Sequence, residues 1–206
     1  MKGLPVTLTF YTHPQSRGRI THWMLEELGQ PYETIVLDYG TTMKAPAYLA
    51  INPMGKVPAL VHDGQAITEG AAIITYLADA FPEAGLMPAN RAAFYRWMFF
   101  GAGPVEAAVT NKALGVQVPP ERRGMVGYGS IDAVTDTLAA QLEKTPYLCG
   151  DTFSAADVYV GSQIGFGMRF NTIESRPVFT DYWTRLTRRP ALVRSTALND
   201  ALLKKA

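Results

Sequence analysis

The chain has 206 residues, 48% of them hydrophobic and 18% charged, which is enough apolar material for one large core or two modest ones. A formal charge of +1 gives no electrostatic case for nucleic acid or an anionic membrane as partner. A single cysteine, Cys149, excludes an internal disulfide framework, a CxxC redox pair and a multi-cysteine metal site.

The N-terminal stretch "MKGLPVTLTFYT" has a proline and alternating polar residues where a signal peptide needs a continuous apolar run, and no later segment approaches the length of a membrane span. These features point to a soluble, cytoplasmic protein that acts on small molecules or pairs with itself. "VTLTFYT" reads as a first strand. "SRGRITHWMLEELG" follows as a helix, with Ile20, Trp23, Met24 and Leu28 on one face and Gly29 as its stop. "YETIVLD" is a second strand and completes a βαβ start. "VPALVHDGQAIT" holds two short strands around Asp63-Gly64, a dipeptide suited to a tight hairpin. "TEGAAIITYLADAF" closes the half as a helix with Thr68 at its N-cap.

"FPEAGLMPA", residues 81–89, has the proline, glycine and small residues of a connection between domains. The expected organisation is therefore an α/β domain over 1–80, a linker over 81–89 and an all-helical domain over 90–206. Helices are expected at about 90–114, 121–144, 154–170, 175–188 and 190–204. Ser154 and Asp157 have capping-box spacing, with aspartate in place of the usual glutamate. Cys149 is expected to be a small buried residue.

Three stretches carry chemistry. In "NPMGKVPAL", Pro58 opens an apolar strand although proline cannot donate to a ladder. A trans proline entering an edge strand and a cis proline that leaves Val57 free to pair with an extended ligand both fit. In "TEGAAI", the N–H groups of Glu69, Gly70 and Ala71 face out of the positive helix end, where a carboxylate is favoured. Glu69 beside them suits an ammonium, so the pair fits an α-amino acid end. Alternatively, Glu69 simply compensates the helix dipole. In "YTHPQSRGR", Ser16 is either an N-cap or a hydroxyl that stabilises a thiolate, and Arg17 and Arg19 read as solvated or as nearby cations.

"NPMGKVPAL", then "TEGAAI" eight residues later, then a helical half containing "GDTFSAADVYV" resembles the soluble glutathione S-transferases over essentially the whole chain. The resemblance implies a thioredoxin-like N-terminal domain, an all-α C-terminal domain and a homodimer with one glutathione site per subunit. Glutathione would be the co-substrate, with no metal. It also implies that Val57 pairs with the cysteinyl part, Pro58 is cis, and Glu69 and Gly70 hold the γ-glutamyl end. Many members have serine where this chain has Gly70, but bacterial beta-class members also read "TEG". Lys56 and Lys44 are candidates for the glycine carboxylate.

Beta-class relatives place a cysteine in the first turn, which this chain lacks, so the serine of theta-like relatives is the better guide. Ser16 is the expected thiol-activating group and Tyr11 the alternative, with Thr12 and His13 nearby. The serine-serine-cysteine motif of zeta-like isomerases is absent. The electrophile is expected to be small and hydrophobic, set against aromatic residues of "RAAFYRWMFFGAG" in a cleft between domains. The fold also accommodates non-catalytic binding or scaffolding, disulfide reduction, dehalogenation and isomerisation.

Overall fold

The computed structural model describes residues 7–204. Residues 1–6, where the first strand and the N-terminal reading above begin, lie outside them. The chain divides into two compact units, Met1–Ala84 together with Arg189–Ala206, and Gly85–Arg188.

In the first unit, β1 (Leu8–Thr12) leads through a tight turn into α1 (Gly18–Leu28), and β2 (Glu33–Val36) returns parallel to β1. A short helical turn, α2 (Pro46–Leu49), precedes β3 (Ala59–His62) and β4 (Gln65–Thr68), and α3 (Gly70–Ala80) follows. The sheet order is β2-β1-β3-β4, with β3 antiparallel to both of its neighbours. This is the thioredoxin-like mixed sheet. Alternation along β1 divides its side chains between two layers. Leu8, Phe10 and Thr12 are buried on one face, where the Phe10 ring meets His22 of α1. Tyr11 faces the other layer and packs with Val57 against Leu37, Met43, Tyr48 and Ala59. Asp63 and Gly64 both adopt positive φ, as a two-residue hairpin turn demands.

Helix α9 (Pro190–Leu203), grouped with the helical half in the sequence reading, folds with the first unit. Arg189 grips Glu27 with two bonds of 2.6 and 2.7 Å, Arg194 bonds Glu26 at 2.9 Å and Arg19 bonds Asp200 at 2.7 Å. Positions that rise along α1 pair with positions that fall along α9, so the two helices run antiparallel.

The second unit is helical: α4 (Arg91–Phe100), α5 (Glu106–Ala113), α6 (Ile131–Leu142), α7 (Ala155–Arg169) and α8 (Pro177–Thr187). The helix expected over 90–114 is continued from α4 into α5 by a π-helical turn, Gly101–Val105. Gly101 is required there, since a Cβ would meet the Val160 side chain at 2.8 Å and the Gln163 side-chain Oε1 at 2.9 Å. The helix expected over 121–144 is two pieces, a 3₁₀ segment Pro120–Met125 and then α6, capped by Ser130. Gly129, at φ 66°, separates them. At the start of α7 the capping box forms as expected, with Asp157 Oδ2 accepting from the Ser154 N–H at 2.9 Å. Cys149 is half-buried, and burial pushes its thiol up to about 11.

Candidate functional site

The strand register brings distant segments of sequence to one end of the sheet. Tyr11 pairs with Ala59, and Ala59 pairs with Thr68. The turn after β1, the Val57–Pro58 segment before β3 and the Glu69–Gly70 segment after β4 therefore emerge side by side. Adjacent strands lie about 4.8 Å apart, so the row from β1 to β4 spans roughly 10 Å, about the reach of an extended tripeptide.

The Val57–Pro58 bond is cis. Pro58 is buried and immediately precedes β3, and Val57 lies one residue further out, beyond the paired ladder. Three side chains brace the loop ahead of it. The Lys56 carbonyl accepts from Tyr48 Oη at 2.5 Å and from Asn52 Nδ2 at 2.8 Å. Burial pushes the Tyr48 phenol up to about 12, which keeps it a donor. Lys44 Nζ donates to the carbonyls of Gly55 at 2.7 Å and Met54 at 3.2 Å. Lys44 thus sits against the loop as a brace, while the exposed Lys56 side chain extends from it. Tyr48 and Asn52 escaped the sequence reading; the only signal was their i, i+4 spacing ahead of the Asn52-Pro53 turn.

Thr68 is not the cap of α3. It is the last residue of β4, paired with Ala59, and the N-cap position belongs to Glu69 without any side-chain capping bond. The helix therefore starts one residue later than expected, and its open N–H groups are those of Gly70, Ala71 and Ala72. Glu69 has φ 68° and ψ 118°, sparsely populated for a residue with a Cβ, at a cost of order 1–3 kcal/mol. Its side chain is exposed beside the positive end of α3.

Ser16 is not the N-cap of α1 either. Arg17 takes that position, and Ser16 closes the turn before it. Its Oγ donates to the His13 carbonyl at 2.6 Å and accepts from the Gly18 N–H at 2.9 Å. The turn is close-packed: a Cβ on Gly18 would lie 2.1 Å from Thr12 Oγ1 and 2.9 Å from Ser16 Oγ. His13 is buried against Tyr39, and its Nδ1 accepts from the Gln15 N–H at 3.1 Å, so a neutral ring carries its proton on Nε2. Thr12 is fully buried. Tyr11 is half-buried against the same core cluster as Val57, and its hydroxyl makes no hydrogen bond among the described residues. Among the described residues no group of three or more His, Cys, Asp or Glu side chains is placed to hold a metal ion, and no helix is long and apolar enough to cross a membrane.

A mixed four-stranded sheet with a cis-proline loop beside a helix N-terminus, followed by a helical unit, defines the two-domain class of thioredoxin-like proteins. Residues 16–80 match the family described as glutathione S-transferase, N-terminal domain. The chain is 34% identical to glutathione S-transferase GST-4.5 of Xanthomonas campestris, over 74% of this chain and 79% of that one. It is 32% identical to glutathione S-transferase GstB of Escherichia coli, over 82% and 86%. Its structure is similar to that of a glutathione transferase homologue from Sulfitobacter with bound glutathione, at a TM-score of 0.75 and 27% identity over 95% and 98% of the two chains. The chain belongs to the glutathione S-transferase family.

Proposed function

We propose that this protein is a cytoplasmic, homodimeric glutathione S-transferase of bacterial type, which holds glutathione across the end of its sheet and presents the thiol as thiolate to a small hydrophobic electrophile. The observation that carries this reading is the register row Tyr11–Ala59–Thr68, which aligns the three segments expected to meet glutathione. The γ-glutamyl end sits at Glu69 and the first turn of α3, where ammonium and carboxylate find opposite partners. The Val57 backbone pairs with the cysteinyl part, next to cis-Pro58. Lys56 and, with its remaining donor, Lys44 face the glycine carboxylate.

A free thiol titrates near ~8.5, so only a small fraction is ionised at neutral pH. Lowering that by about two units requires roughly 2.7 kcal/mol of preference for the thiolate. One charge-assisted hydrogen bond, at about 1.5–3 kcal/mol, is sufficient in magnitude. Ser16 supplies it by exchanging its bond to the His13 carbonyl for one to the sulfur. The Tyr11 hydroxyl, which makes no hydrogen bond among the described residues, supports a second reading in which the phenol is the donor.

The test is a titration with glutathione and with the dipeptide lacking the γ-glutamyl group, followed by turnover assays on halogenated, unsaturated and disulfide substrates. Binding that needs the γ-glutamyl group, with conjugation of a carbon electrophile, is expected. Tight binding without turnover of any substrate would identify a non-catalytic glutathione-binding protein, and turnover of disulfides alone a reductase.

A further inference from the structure

Arg19 occupies the second position of α1, where a cation opposes the helix dipole, and the first turn of that helix contains no carboxylate to compensate it. A residue placed against its local preference asks for another reason. Its guanidinium makes two bonds that point in different directions. Nε donates to the Pro14 carbonyl at 2.6 Å, inside the turn that carries Ser16, and Nη2 pairs with Asp200 of α9 at 2.7 Å. Two further ion pairs to α1, Arg189–Glu27 from the start of α9 and Arg194–Glu26 from within it, lie at the far end of α1.

We infer that Arg19 is a positioning residue for the thiol-activating turn: it fixes the Pro14 carbonyl and, through Asp200, makes the end of α9 part of the structure that holds Ser16 in place. The inference rests on the proposed function. The turn transmits the constraint because it has little slack. Ser16 N and Oγ both bond to His13 O, Gly18 N bonds back to Ser16 Oγ, and Gly18 lies against Thr12. A shift of the Pro14 carbonyl is therefore passed to Ser16, two residues on, rather than absorbed. Arginine suits the task because its planar fork reaches two acceptors at fixed angles, whereas a lysine ammonium is a point charge on a flexible stem.

The experiment measures the pH dependence of kcat/KM, the glutathione KM and the unfolding midpoint for wild type, Arg19→Ala, Arg19→Lys, Asp200→Asn and Arg194→Ala. Arg19→Ala is expected to lower kcat/KM about tenfold, the scale of one lost charge-assisted hydrogen bond, and to move the thiol midpoint toward that of free glutathione. Its glutathione KM should change by less than about threefold. Arg19→Lys should resemble the alanine variant and Asp200→Asn should fall between. Arg194→Ala loosens α9 without touching the turn and should leave the pH midpoint in place. A wild-type midpoint in Arg19→Ala, or full rescue by lysine, would overturn the inference, the latter by showing that charge alone matters. So would an equal shift in Arg194→Ala. A wild-type enzyme whose own midpoint equals that of free glutathione would instead sink the proposed function.

Discussion

The Ser16 hydroxyl donates to the His13 carbonyl across 2.6 Å. The group expected to activate the thiol therefore already holds a strong local bond, and glutathione must compete for its proton. Ser16→Ala should lower kcat at least tenfold if the thiolate accepts from Ser16, with glutathione affinity little changed. It also removes the acceptor for the Gly18 N–H, at about 1 kcal/mol of stability. Tyr11→Phe should leave kcat within about twofold. The reverse pattern in single-turnover rates would assign the donor to Tyr11.

Glu69 is held at φ 68° without a capping bond, so its backbone strain is offset elsewhere. Glu69→Gly is expected to stabilise the fold by about 1 kcal/mol in denaturant unfolding, because glycine adopts positive φ freely. The same change should weaken glutathione binding roughly tenfold by removing the partner of its ammonium group. Stability and affinity moving in opposite directions is the signature to look for by paired unfolding and calorimetric titrations.

Asp157 accepts from the backbone N–H groups of Leu148 and Ser154, from Ser154 Oγ and from Tyr182 Oη, all at 2.8–2.9 Å. Replacing it with alanine leaves these donors buried without an acceptor, and should cost at least about 3 kcal/mol in urea unfolding. Asp157→Asn should cost less, since the amide keeps one oxygen for two of the four donors.

His22 predicts a pH dependence. Burial lowers its pKa below 6.5, against opposing contributions from Asn199 and Glu26, while Arg19 acts in the same direction as burial. Its Nε2 meets Tyr32 Oη, which donates to Glu26 at 2.5 Å, and Glu26 in turn is bound by Arg194. The folded protein thus favours neutral histidine, and the unfolded chain binds the extra proton first as pH falls. The contribution is fully present above pH 6.5 and is lost as pH falls from there through the lowered folded value. The loss of unfolding free energy between pH 7.5 and 5.5 should be smaller in His22→Gln than in wild type. Asp157, whose carboxyl burial pushes up, acts in the opposite sense and is common to both proteins.

The features that were legible in the sequence rest on local signals. Asp63-Gly64 marked its hairpin because few residues accept positive φ in succession, and Ser154 with Asp157 marked the start of α7 by spacing alone. Thr68 misled because a threonine before a helical run looks like a cap, whereas pairing with Ala59 across the sheet keeps it in β4. Nothing local identifies Glu69 as the residue that turns at positive φ. The break before α6 has its sequence signal in Gly127 and Gly129, which stand within the run expected to be one helix. The placement of α9 depends on partners some 160 to 180 residues away, Glu27 and Glu26 for Arg189 and Arg194 and Arg19 for Asp200. Arg17 and Arg19 look alike in sequence, and the second acceptor of Arg19, Asp200, lies 181 residues away while the first, the Pro14 carbonyl, is set by the turn itself.

The most direct test is the ultraviolet absorbance of the thiolate in the complex with glutathione, followed through a pH titration in wild type and in Ser16→Ala. A wild-type midpoint about two units below ~8.5, returning toward that value in the variant, is expected. A bound thiol that titrates like free glutathione would contradict thiol activation at this site.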